Sequence, residues 1–321
     1  MTAVSASNVL ALGAEAGGVT RLVVAVGGNA LAADGTFEAQ HRTVRETASS
    51  LADAVGNERL VVTHGNGPQV GNVLLEAEAA DTPDRPLDVL VAETQASLGG
   101  LLQRHLDAAL DRSVAALLTR VLVDTDDAAF DAPTKPVGPW YAEVEAERKP
   151  FETKRIGSGE RPFRRVVASP EPTEVLDAEA VDVLLSSGQA VVCGGGGGIP
   201  LTRTVDGFDG VEAVVDKDHT TRLIAEAVDA DRLVFLTDVS RAYLDYGTDD
   251  QRPIESVDAE TARSYLEAGE FDEGSMAPKM RACAAFAEAG GEAVVADIDA
   301  VESALAGEAG TVVHPANNSD S

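Results

Sequence analysis

Lysine is scarce in this 321-residue chain, and three of its five copies stand in unusual backbone settings. Lys135 lies between two prolines, Lys217 between Asp216 and Asp218, and Lys279 at a helix start signalled by Ser275 and Pro278. A cation at a helix N-terminus is locally unfavourable unless an anion arrives there. Phosphoryl transfer is chemistry of that kind, since it needs positioning and cancellation of charge more than a nucleophilic side chain. Compact ammonium groups and backbone N–H groups supply both. The chain has no Gly-x-x-x-x-Gly-Lys-Ser/Thr loop and no protein-kinase signature set, so neither familiar kinase architecture applies.

The cation-bearing stretch 191–221 also contains five successive glycines, Gly194 to Gly198, after the apolar run Val191-Val192-Cys193. Such a run costs backbone entropy and buries no side chain. It therefore predicts a place where the backbone comes very close to something, an anion held at a helix start above all. A flexible glycine loop beside a surface ion-pair cluster is the alternative. Two further glycine-asparagine turns follow apolar runs: Gly27-Gly28-Asn29-Ala30 and His64-Gly65-Asn66-Gly67-Pro68. Either could be turn chemistry alone. Taken with the five glycines, they predict three loops meeting at one crevice.

The elements that must position these loops alternate in type. Ordered structure is expected from Arg21; run 22–26 reads as a strand buried on both faces and run 60–63 as a second strand, each leading through a turn to a helix, about 37–55 and from about 69. One or two helices are expected over 84–110, a strand over 114–123, a helix over 173–187 and β structure over 211–215. A helix over 220–228 and a strand over 232–237 follow. The pattern closes with a helix over 277–289, a strand over 292–296, a short helix from Asp299 and a last strand over 311–313. This order predicts an α/β fold, a three-layer αβα sandwich on a mainly parallel sheet, with ligands beyond the carboxyl ends of the strands. Residues 124–172 differ in texture, with seven prolines, Trp140, Tyr141 and three phenylalanines. They predict a protruding, hairpin-like subdomain that places Lys135 over the site, a disordered insertion being the alternative. Residues 1–20 read as a loosely ordered extension and 314–321 as a tail. Between them one domain of two lobes is expected, over 21–190 and 191–313.

Composition narrows the partners. Acidic residues number 54 against 25 basic, a net charge of −29 dispersed along the chain, which repels nucleic acid and anionic membranes. Dispersed acid with scarce lysine suits a protein dissolved in concentrated salt, where self-repulsion is screened within about 3 Å at 1 M. A cytoplasmic enzyme of a salt-accumulating cell is expected. Two cysteines, Cys193 and Cys283, make no disulfide framework and read as small buried hydrophobes. The five histidines show no metal-ligand spacing.

The motifs AVGGNAL (25–31), THGNGPQVGNVLL (63–75), PTKPVGPWY (133–141), RRVVASPEP (164–172), GGGGIP (195–200), AVVDKDHT (213–220), LTDV (236–239), YGTDDQRPI (246–254) and GSMAPKM (274–280) carry a resemblance. The chain resembles carbamate kinases, of the amino-acid-kinase fold, from about Arg21 to Val313. PTKPVGPWY, RRVVASPEP and DQRPI point to that family most narrowly, while Ser240-Arg241 and Asp245 depart from its pattern. The resemblance implies a homodimer, an eight-stranded sheet, and reversible phosphoryl transfer between carbamoyl phosphate and ADP, with Mg2+, in fermentative arginine breakdown. It implies that Gly27, Gly28, Asn29, Gly65 and Asn66 cradle carbamate or carbamoyl phosphate, with Lys135 on the same substrate. It further implies that Lys217 and Lys279 neutralise the transferring phosphoryl group and that Asp216 and Asp218 orient the lysines or hold magnesium. Gly195, Gly196, Gly197, Thr237, Asp238, Tyr243 and Met276 are expected at the nucleotide, together with the two lysines. The rivals are kinases of the same fold acting on other acceptors, such as acetylglutamate, and a non-catalytic nucleotide sensor.

Overall fold

A computed structural model describes residues 19–28, 31, 36–79 and 85–316. The extension up to residue 18, Asn29 and the tail from residue 317 lie outside the described residues.

Strand β1 (Arg21–Val26) shows why the centre is a parallel sheet. Val23 and Ala25 face one core, while Leu22, Val24 and Val26 face another, so the strand is apolar on both sides. Helix α1 (Phe37–Val55) starts where the Thr36 hydroxyl accepts from the Ala39 N–H. It is followed by β2 (Arg59–His64), α2 (Gly67–Ala79) and the single long helix α3 (Leu87–Ala109). Residues 114–123 do not form the one strand expected. They split into β3 (Val114–Ala116) and β4 (Arg120–Val123), which enter different sheets. Thr119 makes the break: its N–H donates to Gln95 Oε1 (2.8 Å) and its hydroxyl accepts from the Gly194 N–H (2.8 Å). Both partners are remote in sequence, so no local pattern marks the interruption.

Residues 124–171 leave the body and build a three-stranded sheet of β5 (Lys135–Tyr141), β6 (Thr153–Arg155) and β7 (Phe163–Val167), with the short helix α4 (Glu143–Ala146). The expected helix over 173–187 is shorter. Its first part is β8 (Pro172–Val175), paired antiparallel to β4, and α5 begins only at Ala178 (Ala178–Ser186). After β9 (Ala190–Cys193) the glycines form one 3-10 turn. They lead into a hairpin that periodicity does not reveal, β10 (Ile199–Thr204) with β11 (Gly207–Gly210). Residues 211–215 do not form a strand: the chain bends at Glu212, where the Ala213 N–H donates to Val211 O (2.8 Å), and it makes one isolated bridge, Ala168 to Ala213.

Helix α6 (Lys217–Ala227) starts three residues before the expected position. Strand β12 (Arg232–Thr237) follows, then the small pair β13 (Tyr243–Leu244) and β14 (Arg252–Pro253). The unanticipated β15 (Ser256–Asp258) and α7 (Ala259–Glu267) come next, with Asp258 capping the Thr261 N–H at 2.7 Å. The chain ends with α8 (Met276–Glu288), β16 (Glu292–Asp297), α9 (Val301–Leu305) and β17 (Thr311–His314).

Eight strands form the central sheet in the order β15-β17-β16-β12-β1-β2-β9-β3, parallel except where β16 meets β17. One face buries Leu51 of α1, Leu98 and Leu102 of α3, and Val301 and Ala304 of α9. The opposite face buries Val181 and Leu185 of α5, Ile224 of α6, Ala262 of α7 and Met280 of α8. That is the three-layer αβα sandwich. The strand registers bring the loop-bearing ends level. Val26 of β1 lies beside His64 of β2 and Leu236 of β12, and Thr63 of β2 beside Cys193 of β9. Four strands therefore finish together, and the turns after them open along one edge.

Candidate active site

Backbone bonds tie those turns to one another: Gly27 N–H donates to Leu236 O (3.1 Å) and Gly65 N–H to Val26 O (3.0 Å). An ideal Cβ on Gly65 would sit 2.6 Å from Gly28 N and 2.8 Å from its Cα, so only glycine permits the two turns to touch. Helix α2 starts directly at the second turn, with Val70 N–H donating to Asn66 O at 2.9 Å.

The five glycines also approach something closely, but chiefly their own protein. A Cβ on Gly195 would meet His64 at 2.7 Å, one on Gly196 would meet Asn66 Oδ1 at 2.0 Å, and one on Gly197 would meet Val215 O at 2.2 Å. Gly194, Gly196, Gly197 and Gly198 all have positive φ. The close approach expected of the run is thus made, at these three positions, to the protein's own turns. Of Gly195, Gly196 and Gly197, only Gly196 lines the cavity, the other two being buried beneath it. Side chains that nothing in the sequence singles out hold this loop: Gln95 Nε2 donates to Gly195 O (2.9 Å) and Thr220 Oγ1 to Gly197 O (2.7 Å). Thr94 Oγ1 accepts from Asn66 Nδ2 at 2.8 Å. Buried His64, its imidazole held down to about 4 by burial, with a further push from Lys217, stays uncharged below the loop at neutral pH.

The cavity, of about 860 Å³, takes its wall from the turns after β1, β2, β9 and β12, from the starts of α2, α6 and α8, and from β5 of the protruding subdomain. Three helix N-termini thus face one space. The three singular lysines converge there through two aspartates. Lys135 Nζ, from β5, contacts Asp216 Oδ2 at 3.0 Å. Asp216 Oδ1 accepts the Asp218 N–H at 2.9 Å, capping α6. Asp218 is itself bridged: Lys217 Nζ donates to its Oδ1, and Lys279 Nζ lies 3.1 Å from its Oδ2. Lys279 also donates to Ser275 O at 3.1 Å. Burial pushes the Asp216 carboxyl upward, but Lys135, the Asp218 N–H and Lys217 together win and hold it at about 2. It stays ionised throughout the neutral range, so the clamp on Lys135 does too.

The remaining expected residues divide. Thr237 and Asp238 line the cavity, and the Thr237 hydroxyl donates to Asp238 Oδ1 at 3.1 Å. Tyr243 and Met276 lie outside its wall. Tyr243 shares a hydrogen bond with Ser240 (2.9 Å) and stacks near Tyr246, and Met276 packs on the core. Ser275 stands before α8, yet its hydroxyl turns to Asp272 Oδ2 (2.9 Å) instead of capping the helix. The subdomain supplies a wall that the sequence did not assign: Trp140, Arg161 and Arg164. Arg164 stacks over Trp140 at 5.2 Å and donates to Gly138 O, which fixes the wall's shape. Neither cysteine reaches the site. Cys193 is fully buried, its thiol pushed up to about 12 by burial.

Ammonium groups and helix starts gathered beyond the carboxyl ends of parallel strands define a phosphotransferase site of the amino-acid-kinase type. The profile of the amino acid kinase family matches residues 20–297. Carbamate kinase of Halobacterium salinarum is 44% identical over 303 residues, covering 92% of this chain and 98% of that protein. Carbamate kinase of Pyrococcus furiosus is 41% identical over 312 residues, covering 92% and 99%. A solved structure, carbamate kinase from Giardia lamblia bound to AMP-PNP, superposes with a TM-score of 0.87 at 32% identity, covering 93% of this chain and 99% of that one. The chain belongs to the amino acid kinase family, and within it to the carbamate kinases.

Proposed function

We propose that this chain catalyses reversible transfer of a phosphoryl group between carbamoyl phosphate and ADP, giving ATP and carbamate, which falls apart to ammonia and CO2. The observation that carries the reading is the convergence of Lys135, Lys217 and Lys279, from three separate elements, on one cavity. A β-phosphate oxygen of ADP attacks phosphorus as the bond to the carbamate oxygen breaks. Charge spreads over the three equatorial oxygens, where Lys217 and Lys279 stand with the N-termini of α6 and α8 behind them. Lys135, reaching in from β5, holds the carbamoyl phosphate end, with the turns at Gly27-Gly28 and Gly65-Asn66 lining that end and the Gly28 and Asn66 N–H groups as its backbone donors, since those of Gly27 and Gly65 are bonded to Leu236 O and Val26 O. Gly196, Thr237 and Asp238 lie on the nucleotide side.

Magnesium fits this site as a passenger of the nucleotide. Asp216 and Asp218 are both engaged by lysines, and among the described residues no three potential ligands cluster. Phosphate oxygens and water would therefore provide most of its coordination, as Mg2+ prefers. Bound there, it offsets phosphate charge.

A coupled assay for ATP from ADP and carbamoyl phosphate in molar KCl tests the reading, with acetylglutamate plus ATP run in parallel. Turnover of the second pair alone would replace it. Lys135→Ala is expected to raise KM for carbamoyl phosphate about tenfold or more while KM for ADP stays within a factor of two, the loss of one charge-assisted contact. A defect confined to ADP would remove Lys135 from the acceptor side.

The acid excess supports a cytoplasmic, salt-adapted setting, and the resemblance supports a homodimer serving arginine breakdown. No helix among the described residues is long and apolar enough to cross a membrane. With 54 acidic residues the folded chain repels itself in dilute buffer, so its melting temperature is expected to climb as KCl rises from millimolar to molar. Highest stability near zero salt would contradict the salt adaptation.

A further inference from the structure

The arm that carries Lys135 is pinned at its far end by a carboxylate outside the cavity. Strand β5 begins at Lys135 and ends at Tyr141. Tyr141, only 3% exposed, donates its hydroxyl to Glu78 Oε1 near the end of α2. Lys149 Nζ takes the other oxygen, Glu78 Oε2, at 2.7 Å. The same ammonium lies 4.3 Å from the centre of the Tyr141 ring and 5.8 Å from that of Phe151. Burial, together with Glu78 itself, pushes the Tyr141 hydroxyl well above its ordinary range, so it remains a donor at any working pH.

Helix α2 is the strut between pin and site. Its first residues, Gly67 and Pro68, line the cavity, and its last turn carries Glu78. Between them Val70 and Leu74 share a small core with Val137 of β5 and Val167 of β7. Gly138, at φ +70°, lets the strand pass close to Leu74, where an ideal Cβ would lie 3.2 Å from Leu74 Cδ1. Strand β5 also carries a register irregularity between Val137 and Trp140. An irregular strand cannot by itself fix the distance from Tyr141 to Lys135, so a second attachment is needed at its far end.

We infer that Glu78 is a positioning residue for the carbamoyl phosphate side of the site, setting the reach of Lys135 into the cavity through its double contact with Tyr141 and Lys149. It touches neither substrate. The inference rests on the proposed reaction for its kinetic readout only. The subdomain has other ties to the body, among them Arg165 to Glu212 and the Ala168–Ala213 bridge, both in the 211–215 segment. The Arg165 tie acts on β7, which pairs with Trp140 and Tyr141, while Glu78 joins the far end of β5 directly to helix α2.

Trp140, the sole tryptophan, sits on the arm between Lys135 and Tyr141 and is 43% exposed, which supplies an independent signal. In Glu78→Ala, KM for carbamoyl phosphate is expected to rise roughly tenfold, as for loss of a hydrogen bond to a charged group, with KM for ADP within about twofold. Trp140 emission should shift to the red and its anisotropy should fall. Lys135→Ala should raise the same KM and leave the tryptophan signal as in the wild type. Combining the two substitutions should add little to either KM effect, because both act through one ammonium group. Should Glu78→Ala fold poorly, Tyr141→Phe keeps the buried ring, removes only the hydroxyl, and carries the same expectations at smaller amplitude. An unchanged KM and an unchanged tryptophan signal in an active protein would overturn the inference. A wild-type chain without carbamoyl phosphate turnover would instead defeat the proposed reaction, and the Trp140 signal would still decide whether Glu78 holds the arm.

Discussion

Lys217→Ala and Lys279→Ala are each expected to lower kcat by about 10²-fold to 10³-fold, the range for losing one preorganised donor at a transition-state charge. The geometry says why kcat is the affected parameter. Asp218 takes Lys217 on one oxygen and Lys279 on the other, so the two nitrogens stand at a set separation before any substrate arrives. Their side chains are 13% and 11% exposed, and charge interactions there are far stronger than in open water. Ground-state phosphate can also be held by the backbone N–H groups of three helix starts. Those donors remain in either variant, which limits the change in KM. What they cannot replace is full positive charge held against the negative equatorial oxygens at the moment of transfer. Because Lys217 also lies 5.6 Å over the Phe235 ring, its alanine variant loses some packing, and Lys217→Met serves as the control that keeps the stem. The double variant should fall by much less than the product of the two single effects, since both nitrogens act on one group. Steady-state kinetics in molar KCl check all four variants, and full activity in either single alanine variant would take that lysine out of the mechanism.

The sequence discloses this site better than it discloses the chain around it, and the reason is physical. Strands β1, β2, β12 and β16 are buried on both faces, so their apolar runs are continuous and stop where the sheet stops. Helix α1 spans the expected 37–55, and its Thr36 cap is a local signal as well. The lysines stand out because an acid-rich chain with scarce lysine still places three of them at helix starts or between prolines. Legibility fails wherever distant partners decide. Val114 to Val123 reads as one strand because an apolar run does not say which sheet each half joins. Thr173 to Val175 has helical spacing, but an open edge beside β4 claims it. Helix α7 does carry a local signal, the Asp258 cap with Glu260 in the first turn, which a reading led by apolar runs misses. The glycine run misleads differently: close approach is a sound inference, but the partners are His64, Asn66 and Val215, with Gly196 alone reaching the cavity wall. Thr94, Gln95 and Thr119 hold that loop from α3 and the β3–β4 break, where neutral polar residues look like any others until the fold closes.

Asp218→Asn is expected to lose activity and to destabilise the folded chain by about 3–5 kcal/mol, the usual consequence of breaking a buried charge pair from one side. Two effects compete for the sign. Removing a carboxylate from an active site can stabilise a protein when carboxylates outnumber cations there. Here the balance runs the other way: among the described residues the ion pairs of Lys135, Lys217 and Lys279 are with Asp216 and Asp218, and Asp218 neutralises two of the three. An asparagine of the same shape offers one acceptor and turns an N–H₂ donor toward the other ammonium, so two cations are left close together with no anion between them. The aspartate side chain is 3% exposed, and molar salt screens such a site weakly. Exposed pairs such as Arg263 with Glu288, worth at most about 1 kcal/mol, give no comparable effect. Scanning calorimetry of both proteins in molar KCl, with and without magnesium nucleotide, separates the possibilities. A ligand at a hundred times its dissociation constant stabilises by about 2.7 kcal/mol. The phosphate would restore to the variant the anion its lysines lack, so the upward shift in Tm should be larger in the variant than in the wild type. A variant that melts at or above the wild type, or gains no more from nucleotide, would mean that Asp218 does not hold Lys217 and Lys279 as a charged pair.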